Sequence, residues 1–76
     1  MVDCYDITFN ENWVYASEIY DHDYKVKGTA KISRHTDEFY TDCSSPNQFK
    51  KALVAVKLDI ARGNLKQHAN RTVAWY

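Results

Sequence analysis

The sequence predicts an α+β domain: an antiparallel sheet of four to five strands, connected as a meander, with one helix packed across one face. Two observations predict it. Residues 24–33 alternate apolar and polar side chains, which is typical of a strand with one buried face. Residues 44–63 instead place apolar side chains at helical spacing between recognisable end signals. At 76 residues the chain has the length of one small domain, so we expect residues 1–76 to form a single unit.

A serine, a proline and a glycine mark the ends of the predicted helix. Ser45 is a favourable N-cap because its hydroxyl can accept a hydrogen bond from an unpaired backbone N–H of the first turn. Pro46 follows at the first helical position, where its missing N–H costs nothing. Gly63 suits a left-handed cap at the other end. The side chains that share the expected core-facing stripe are Phe49, Ala52, Leu53, Val56 and Ile60.

Short apolar runs predict the strands. We place them at residues 3–9, 13–20, 24–33 and 39–43, with a fifth at 71–76 unless that segment continues as a helix. Simple alternation assigns these side chains to the inner face: Tyr5, Ile7, Phe9, Trp13, Tyr15, Ile19, Tyr24, Val26, Gly28, Ala30, Ile32, Val73 and Trp75.

The pairing of the second and third strands follows from keeping these side chains on one face, because a slip of one residue would reverse a strand. Setting Tyr20 opposite Lys25 achieves this and leaves His22-Asp23 as a two-residue loop. The further pairs in this register are Ile19 with Val26, Glu18 with Lys27, Tyr15 with Ala30, and Trp13 with Ile32.

The charge of the chain is balanced overall but unevenly distributed. Formal net charge is +0, which argues against general attraction to nucleic acid or to membranes. Residues 1–42 hold 9 acids and 4 bases, a net charge of −5, whereas residues 43–76 hold 1 acid and 6 bases, a net charge of +5. The acidic start of the chain has no apolar run, so we expect a cytoplasmic protein in which Cys4 and Cys43 remain reduced thiols.

The sequence offers no set of residues with catalytic or metal-binding spacing. Asp21, His22 and Asp23 are adjacent at a turn, where their side chains diverge, whereas a metal site needs ligands that converge. His35 lies close to Asp37 and Glu38, but no nucleophile stands beside them at a recognisable spacing. We therefore expect a protein that is not an enzyme and that uses no metal and no cofactor.

A second apolar stripe runs along the helix, nearly opposite the core-facing one. It consists of Val54, Leu58 and Ala61, and a single-layer sheet can cover only one side of a helix. Basic side chains border it: Lys50, Lys51, Lys57 and Arg62. Three aligned apolar residues with a basic rim indicate a surface for a partner protein, either a host protein with an acidic groove or a second copy of this chain.

The alternative is a regulator that binds nucleic acid through the outer face of the sheet. Lys25, Lys27 and Lys31 alternate along the third strand, and Tyr20 is expected beside Lys25. The order of several strands followed by one helix resembles that of sheet-reading DNA-binding domains of the integrase arm-binding kind. A short, compact chain without a catalytic site also resembles the small accessory proteins of bacteriophages and mobile elements, which often inhibit a host protein by docking on it. A self-associating structural module is the third possibility.

Overall fold

A computed structural model describes residues 1–44 and 46–74. Across these residues the chain forms five strands and one helix, in the order β1, β2, β3, β4, α1, β5. Their bounds are β1 Val2–Phe9, β2 Trp13–Asp21, β3 Val26–Ser33, β4 Phe39–Thr41, α1 Pro46–Ala61 and β5 Ala69–Val73.

The strands form one antiparallel sheet in the spatial order β4-β3-β2-β1-β5. The first four strands are a meander, and α1 then crosses one face of the sheet so that β5 pairs with the free edge of β1. The predicted α+β architecture is therefore confirmed. The fifth strand begins at Ala69, two residues before its predicted start, and Val73 is buried as expected. Trp75 lies outside the described residues.

The helix buries the stripe that its spacing predicts. Phe49, Ala52, Leu53, Val56 and Ile60 are all buried, and the first four are fully inaccessible. They pack on the inner face of the sheet, to which these strand residues contribute: Val2, Cys4, Ile7, Val14, Ala16, Ile19, Ala30, Ile32 and Val73. Gly28 makes room for the Asp42 side chain, because a Cβ atom at position 28 would lie 2.4 Å from Oδ1 of Asp42, whereas its 3.4 Å distance to Cε2 of Phe49 would be an ordinary contact.

A pair of opposed bulges interrupts the neighbouring strands β1 and β2. The pairing of β1 with β5 shifts between Cys4 and Ile7, and the pairing of β2 with β3 shifts between Ala16 and Ile19. The pairing between β1 and β2 keeps one register on both sides, so Asp6 and Ser17 face each other as the extra residues. Asp6 has a positive φ of 50°, and the Ser17 hydroxyl donates to its backbone oxygen at 3.1 Å. We call this row of two residues the bulge row.

The bulge row reverses the alternation of side chains, which makes part of the predicted inner face wrong. Val14 and Ala16 are buried in β2, and Trp13 and Tyr15 point to the outer face instead. In β1, Cys4 is buried before the bulge row. Its neighbour Tyr5, which was expected to point inward, is 37% exposed. Alternation holds within each half of a strand, but after one extra residue the side chains point to the face opposite to the one that unbroken alternation predicts.

The predicted register of β2 and β3 is also wrong. Asp21 pairs with Val26 and Tyr20 with Lys27, whereas Glu18 is not opposite Lys27. On the far side of the bulge row, Tyr15 lies opposite Lys31. Correspondingly, Ile19 pairs with Gly28 and Trp13 with Ser33.

The loop chemistry explains this shift. Oδ1 of Asp21 accepts hydrogen bonds from the backbone N–H groups of Asp23, at 2.9 Å, and Tyr24, at 3.3 Å. Lys25 then takes a positive φ of 55°, so the loop uses the four residues 22–25 rather than two. Tyr24 lies in this loop and is 62% exposed, not inward.

The C-terminal end of α1 has the cap that Gly63 predicts. Gly63 has a φ of 75°, and its N–H donates to the oxygen of Ile60 at 3.0 Å. The N–H of Asn64 donates to the oxygen of Asp59 at 2.8 Å. These two bonds satisfy carbonyls that a helix end leaves without partners. The N-cap prediction falls on Ser45, which lies outside the described residues.

Candidate functional site

The helix presents its second apolar stripe to solvent. Val54 is 39% exposed, Leu58 is 47% exposed, and Ala61 is exposed as well. Because their neighbours Leu53 and Val56 are fully buried, the helix separates its two apolar stripes sharply. We call the exposed stripe and its basic neighbours the helix surface: Val54, Leu58, Ala61, Lys50, Lys51, Lys57 and Arg62.

Two shallow depressions lie along the helix surface. One of about 540 Å³ is lined by Asn47, Lys50, Lys51 and Val54. The other, of about 440 Å³, lies at the far end of the stripe, and its lining residues are Glu11, Arg34, His35, Lys57, Leu58 and Ala61. Both depressions are open to solvent and have an apolar floor with charged side chains around it. This shape is more typical of a protein-docking surface than of an enclosed ligand pocket.

The basic rim is not uniform. The Lys57 side chain is partly buried, and its Nζ donates to the backbone oxygens of Ser33, at 2.8 Å, and Thr36, at 3.0 Å. It ties the 34–38 loop to the helix and so has a structural role. Asp59, the acid of α1, accepts from Nε of Arg71 at 2.8 Å. The exposed charge of the helix is therefore basic, because its acid is neutralised within the fold.

The outer face of the sheet carries an aromatic cluster that alternation did not predict. Tyr15, Lys31 and Tyr40 form one row across three strands, because Lys31 pairs with Tyr15 on one side and with Tyr40 on the other. Nζ of Lys31 lies 4.5 Å from the ring centre of Trp13 and 5.3 Å from that of Tyr40. The Trp13 and Tyr40 rings are 5.9 Å apart and tilted. Tyr40 is 52% exposed.

The residues predicted to bind nucleic acid are only partly brought together. Lys27 and Lys31 share the outer face of β3, and Tyr20 lies opposite Lys27. Lys25 lies in the loop before β3 and does not continue the row. We call the aromatic cluster and the lysines between its members the outer sheet surface: Trp13, Tyr15, Tyr20, Tyr40, Lys27 and Lys31.

Two carboxylates of β1 are each held by a histidine. Oδ2 of Asp3 lies 2.7 Å from Nε2 of His22, and Oδ1 of Asp6 lies 2.6 Å from Nδ1 of His68. The histidine contact lowers the pKa of Asp3, with help from the Thr72 hydroxyl, and the His68 contact lowers the pKa of Asp6. These pairs fasten the β2–β3 loop and the start of β5 to the sheet.

The turn sequence Asp21-His22-Asp23 sends its side chains in three directions. Asp21 is 1% exposed and caps its own loop, while His22 contacts Asp3. Asp23 binds the amino terminus at 3.0 Å. Within residues 1–44 and 46–74, no group of three His, Cys, Asp or Glu side chains is placed to hold a metal ion.

The two cysteines are not joined in a disulfide. Cys4 is fully buried in the core, and burial raises the pKa of its thiol to about 12. A thiol in that state is a poor nucleophile, since the thiolate is the reactive form. Cys4 therefore contributes to packing.

No protein-family model matches this chain, and comparisons with curated proteins and with solved structures gave no match. Among the described residues, no helix is long and apolar enough to cross a membrane.

Sequence reasoning missed Trp13, Tyr15 and Tyr40 as surface residues. The cue in β2 was Ser17, a polar residue that strict alternation from Trp13 and Tyr15 would place in the core. A jump of one residue there lets Val14, Ala16 and Ile19 share the inner face, as the structure has them.

Proposed function

We propose that this chain is a protein-binding module that docks on an acidic partner protein through the helix surface. The observation that supports the proposal is the exposure of Leu58, at 47%, in the last turn of a helix whose opposite face is buried. A leucine flanked by Val54 and Ala61 loses unfavourable contact with water when another surface covers it. The stripe is small, so we expect a reversible complex.

The charge around the stripe specifies the partner's chemistry. Lys50 and Arg62 are exposed at opposite ends of the stripe, and Asp59 is already paired with Arg71. A complementary surface has an apolar centre with carboxylates at its edge. Like charges oppose a symmetric dimer built from two helix surfaces, because each basic rim would meet its own copy.

A second copy of the chain remains a candidate partner if the helix surface of one copy binds a different surface of the other. Its residues 1–42 carry a net charge of −5, from 9 acids and 4 bases, which is opposite in sign to the charge of the helix surface. Such a contact joins two different faces and would extend into a chain of molecules unless its rotation closes a ring. The experiment below separates this outcome from a foreign partner.

We infer that the protein acts by occupying its partner, in the manner of an inhibitory accessory protein, and not by catalysis. Burial raises the pKa of Cys4, and the other described side chains with shifted pKa values are engaged in hydrogen-bonded pairs such as Asp3 with His22. We also infer a cytoplasmic location, because the buried thiol of Cys4 and the absence of a disulfide fit a reducing compartment.

The test is capture of a partner from a nuclease-treated lysate of the source cells by wild-type protein and matched variants. Leu58→Asp places a charge in the centre of the stripe, and Asn64→Asp introduces the same charge just beyond the helix as a control. We expect Asn64→Asp to retain the wild-type partner and Leu58→Asp to lose it, with circular dichroism confirming that both fold. Lys50→Glu with Arg62→Glu should also lose it, because the rim charge is reversed.

Light scattering of the purified protein decides whether the partner is a second copy. A mass above that of the monomer identifies self-association through the helix surface if the Leu58→Asp variant has the mass of the monomer. Retention of the partner by a folded Leu58→Asp would contradict the proposal, and unfolding of that variant would assign Leu58 to the core instead.

A further inference from the structure

We propose that the outer sheet surface is a second binding site, separate from the helix surface, and that its ligand is single-stranded nucleic acid. The two surfaces lie on opposite sides of the molecule, because α1 covers the inner face of the sheet and Tyr15, Lys31 and Tyr40 project from the other face. The inference therefore does not depend on the protein-docking function.

The arrangement alternates aromatic rings with ammonium groups. Tyr20 lies opposite Lys27. Four positions further along β3, Lys31 lies between Tyr15 on one side and Tyr40 on the other. Bases stack on aromatic side chains regardless of their sequence, and lysines between the rings can meet the phosphates that link successive bases. The lysines lie along one strand, so they follow one line across the surface.

Most of the nearby carboxylates accept hydrogen bonds within the fold, which fixes their positions but does not remove their charge. Asp42 accepts from the Thr29 backbone N–H at 2.8 Å, and Glu38 accepts from the Tyr40 hydroxyl at 3.1 Å. Asp3 accepts from His22 and Thr72 on the β1 side. Glu18 belongs to the same face but pairs with Tyr5 on β1, away from the Tyr15–Lys31–Tyr40 row.

A depression of about 560 Å³ beside the rings provides room for a base. Its lining includes the Tyr15 and Tyr40 rings and the hydroxyls of Thr8, Ser17 and Thr29, and its charged residues are Lys31 and Asp42. Hydroxyls donate and accept hydrogen bonds and can serve any base edge. In a duplex the base faces are stacked on each other, so an open platform of rings favours unpaired bases.

The position of Lys31 favours nucleic acid over a protein as the occupant. Tryptophan and tyrosine are enriched in both kinds of interface, but lysine is depleted in protein–protein interfaces. Nζ of Lys31 lies over both the Trp13 and the Tyr40 rings, so its charge stands against the aromatic cluster itself. A cation there suits a phosphate.

The test measures the anisotropy of labelled oligo(dT) and oligo(rU) of about 15 nucleotides, a length that spans a site of the ~4–16 nucleotides typical of stacking platforms. At about 50 mM salt, where phosphate contacts are strongest, we expect saturable binding to both oligonucleotides and weaker binding to a duplex of equal length. Tyr40→Ala and Trp13→Ala should each weaken binding roughly 5- to 150-fold, the range for loss of one stacked base.

Matched variants separate stacking from charge. Tyr24→Ala removes a ring that is more exposed than that of Tyr40, in the 22–25 loop beside the start of α1, and should leave affinity unchanged. Lys31→Ala should lower the slope of log affinity against log salt by about 0.7, the value for one phosphate contact on a single strand, and Lys31→Arg should restore it. Leu58→Asp should not change the affinity.

Three results would each overturn the proposal. One is an absence of saturable binding up to a protein concentration of about 10⁻⁴ M, the weak limit of non-specific association. Another is binding that Tyr40→Ala and Lys31→Ala leave intact. The last is loss of a nuclease-resistant protein partner in Tyr40→Ala without any oligonucleotide binding by the wild type, which would assign the outer sheet surface to a protein.

Discussion

The helix α1 and the strands β1 and β2 divide their side chains between core and solvent by different rules. In α1 the division follows one uninterrupted period, so Leu53 is fully buried and the next residue, Val54, is 39% exposed. In β2 the division holds only up to the bulge row, beyond which the inward positions move by one residue. A helix with regular geometry thus fixes its faces over its whole length, whereas a strand fixes them only between bulges.

The sharpest test of this difference is a pair of neighbouring substitutions in β2. Ala16→Asp buries an unpaired carboxylate in the core, so we expect a loss above about 4 kcal/mol or complete unfolding. Tyr15→Asp changes the outer face and should cost about 1 kcal/mol or less. The free energies of unfolding are measured by urea denaturation. Unfolding by Tyr15→Asp together with tolerance of Ala16→Asp would restore unbroken alternation from Trp13 and refute the bulge.

A second pair tests the faces of the helix in the same way. Leu53→Ala leaves a cavity in the core and should cost about 2–5 kcal/mol. Val54→Ala removes methyl groups from an exposed position and should change stability by no more than about 0.5 kcal/mol. Thermal and urea denaturation of both variants provide the comparison. Equal losses at the two positions would mean that the helix is covered on both sides.

The smallest effect concerns the acids that fasten β1. Asp3 and Asp6 have pKa values lowered by their histidine partners, so each stabilises the fold when ionised. Their contribution is fully present above the unfolded pKa of about 4 and is lost as pH falls through the lower folded value. Stability should therefore decline below about pH 4, and less steeply in the variant that combines Asp3→Asn with Asp6→Asn.

Urea denaturation between about pH 5 and 2 checks this difference in slope. Asp37→Asn, in the exposed 34–38 loop, is the control and should follow the wild type. Identical slopes for the wild type and the double variant would contradict a role for the two histidine pairs.

The predictable parts of this fold are those governed by short-range chemistry. Gly63 caps the helix because a left-handed residue needs no Cβ, and the helical period alone identifies Leu58 as an outward position. The alternation of β3 predicts Ala30 and Ile32 as inward because no extra residue interrupts that strand. Each of these features depends on residues close together in the chain.

The features of the fold that the sequence did not predict depend on contacts between residues that are far apart in the chain. The positive φ of Asp6 is supported by Asn70, which accepts from its N–H at 3.0 Å, and by Ser17. The register of β2 and β3 depends on how Asp21 folds its loop. Trp13 and Tyr15 were missed for the same reason, since they change face only through the bulge, whereas Tyr20 was expected on the outer face.

The bulge row has a consequence for how the length of this chain can vary. Asp6 and Ser17 face each other across β1 and β2. Removing both would leave a single outward residue between Cys4 and Ile7 in β1, and a single outward residue between Ala16 and Ile19 in β2. The pairing of β1 with β2 would keep its register, and both strands would alternate without interruption. Removing only one of the two residues would shift β1 against β2 by one position and turn half a strand inside out. The row therefore behaves as a single inserted unit spanning two strands, and a homologous chain that lacks one of these residues is expected to lack the other.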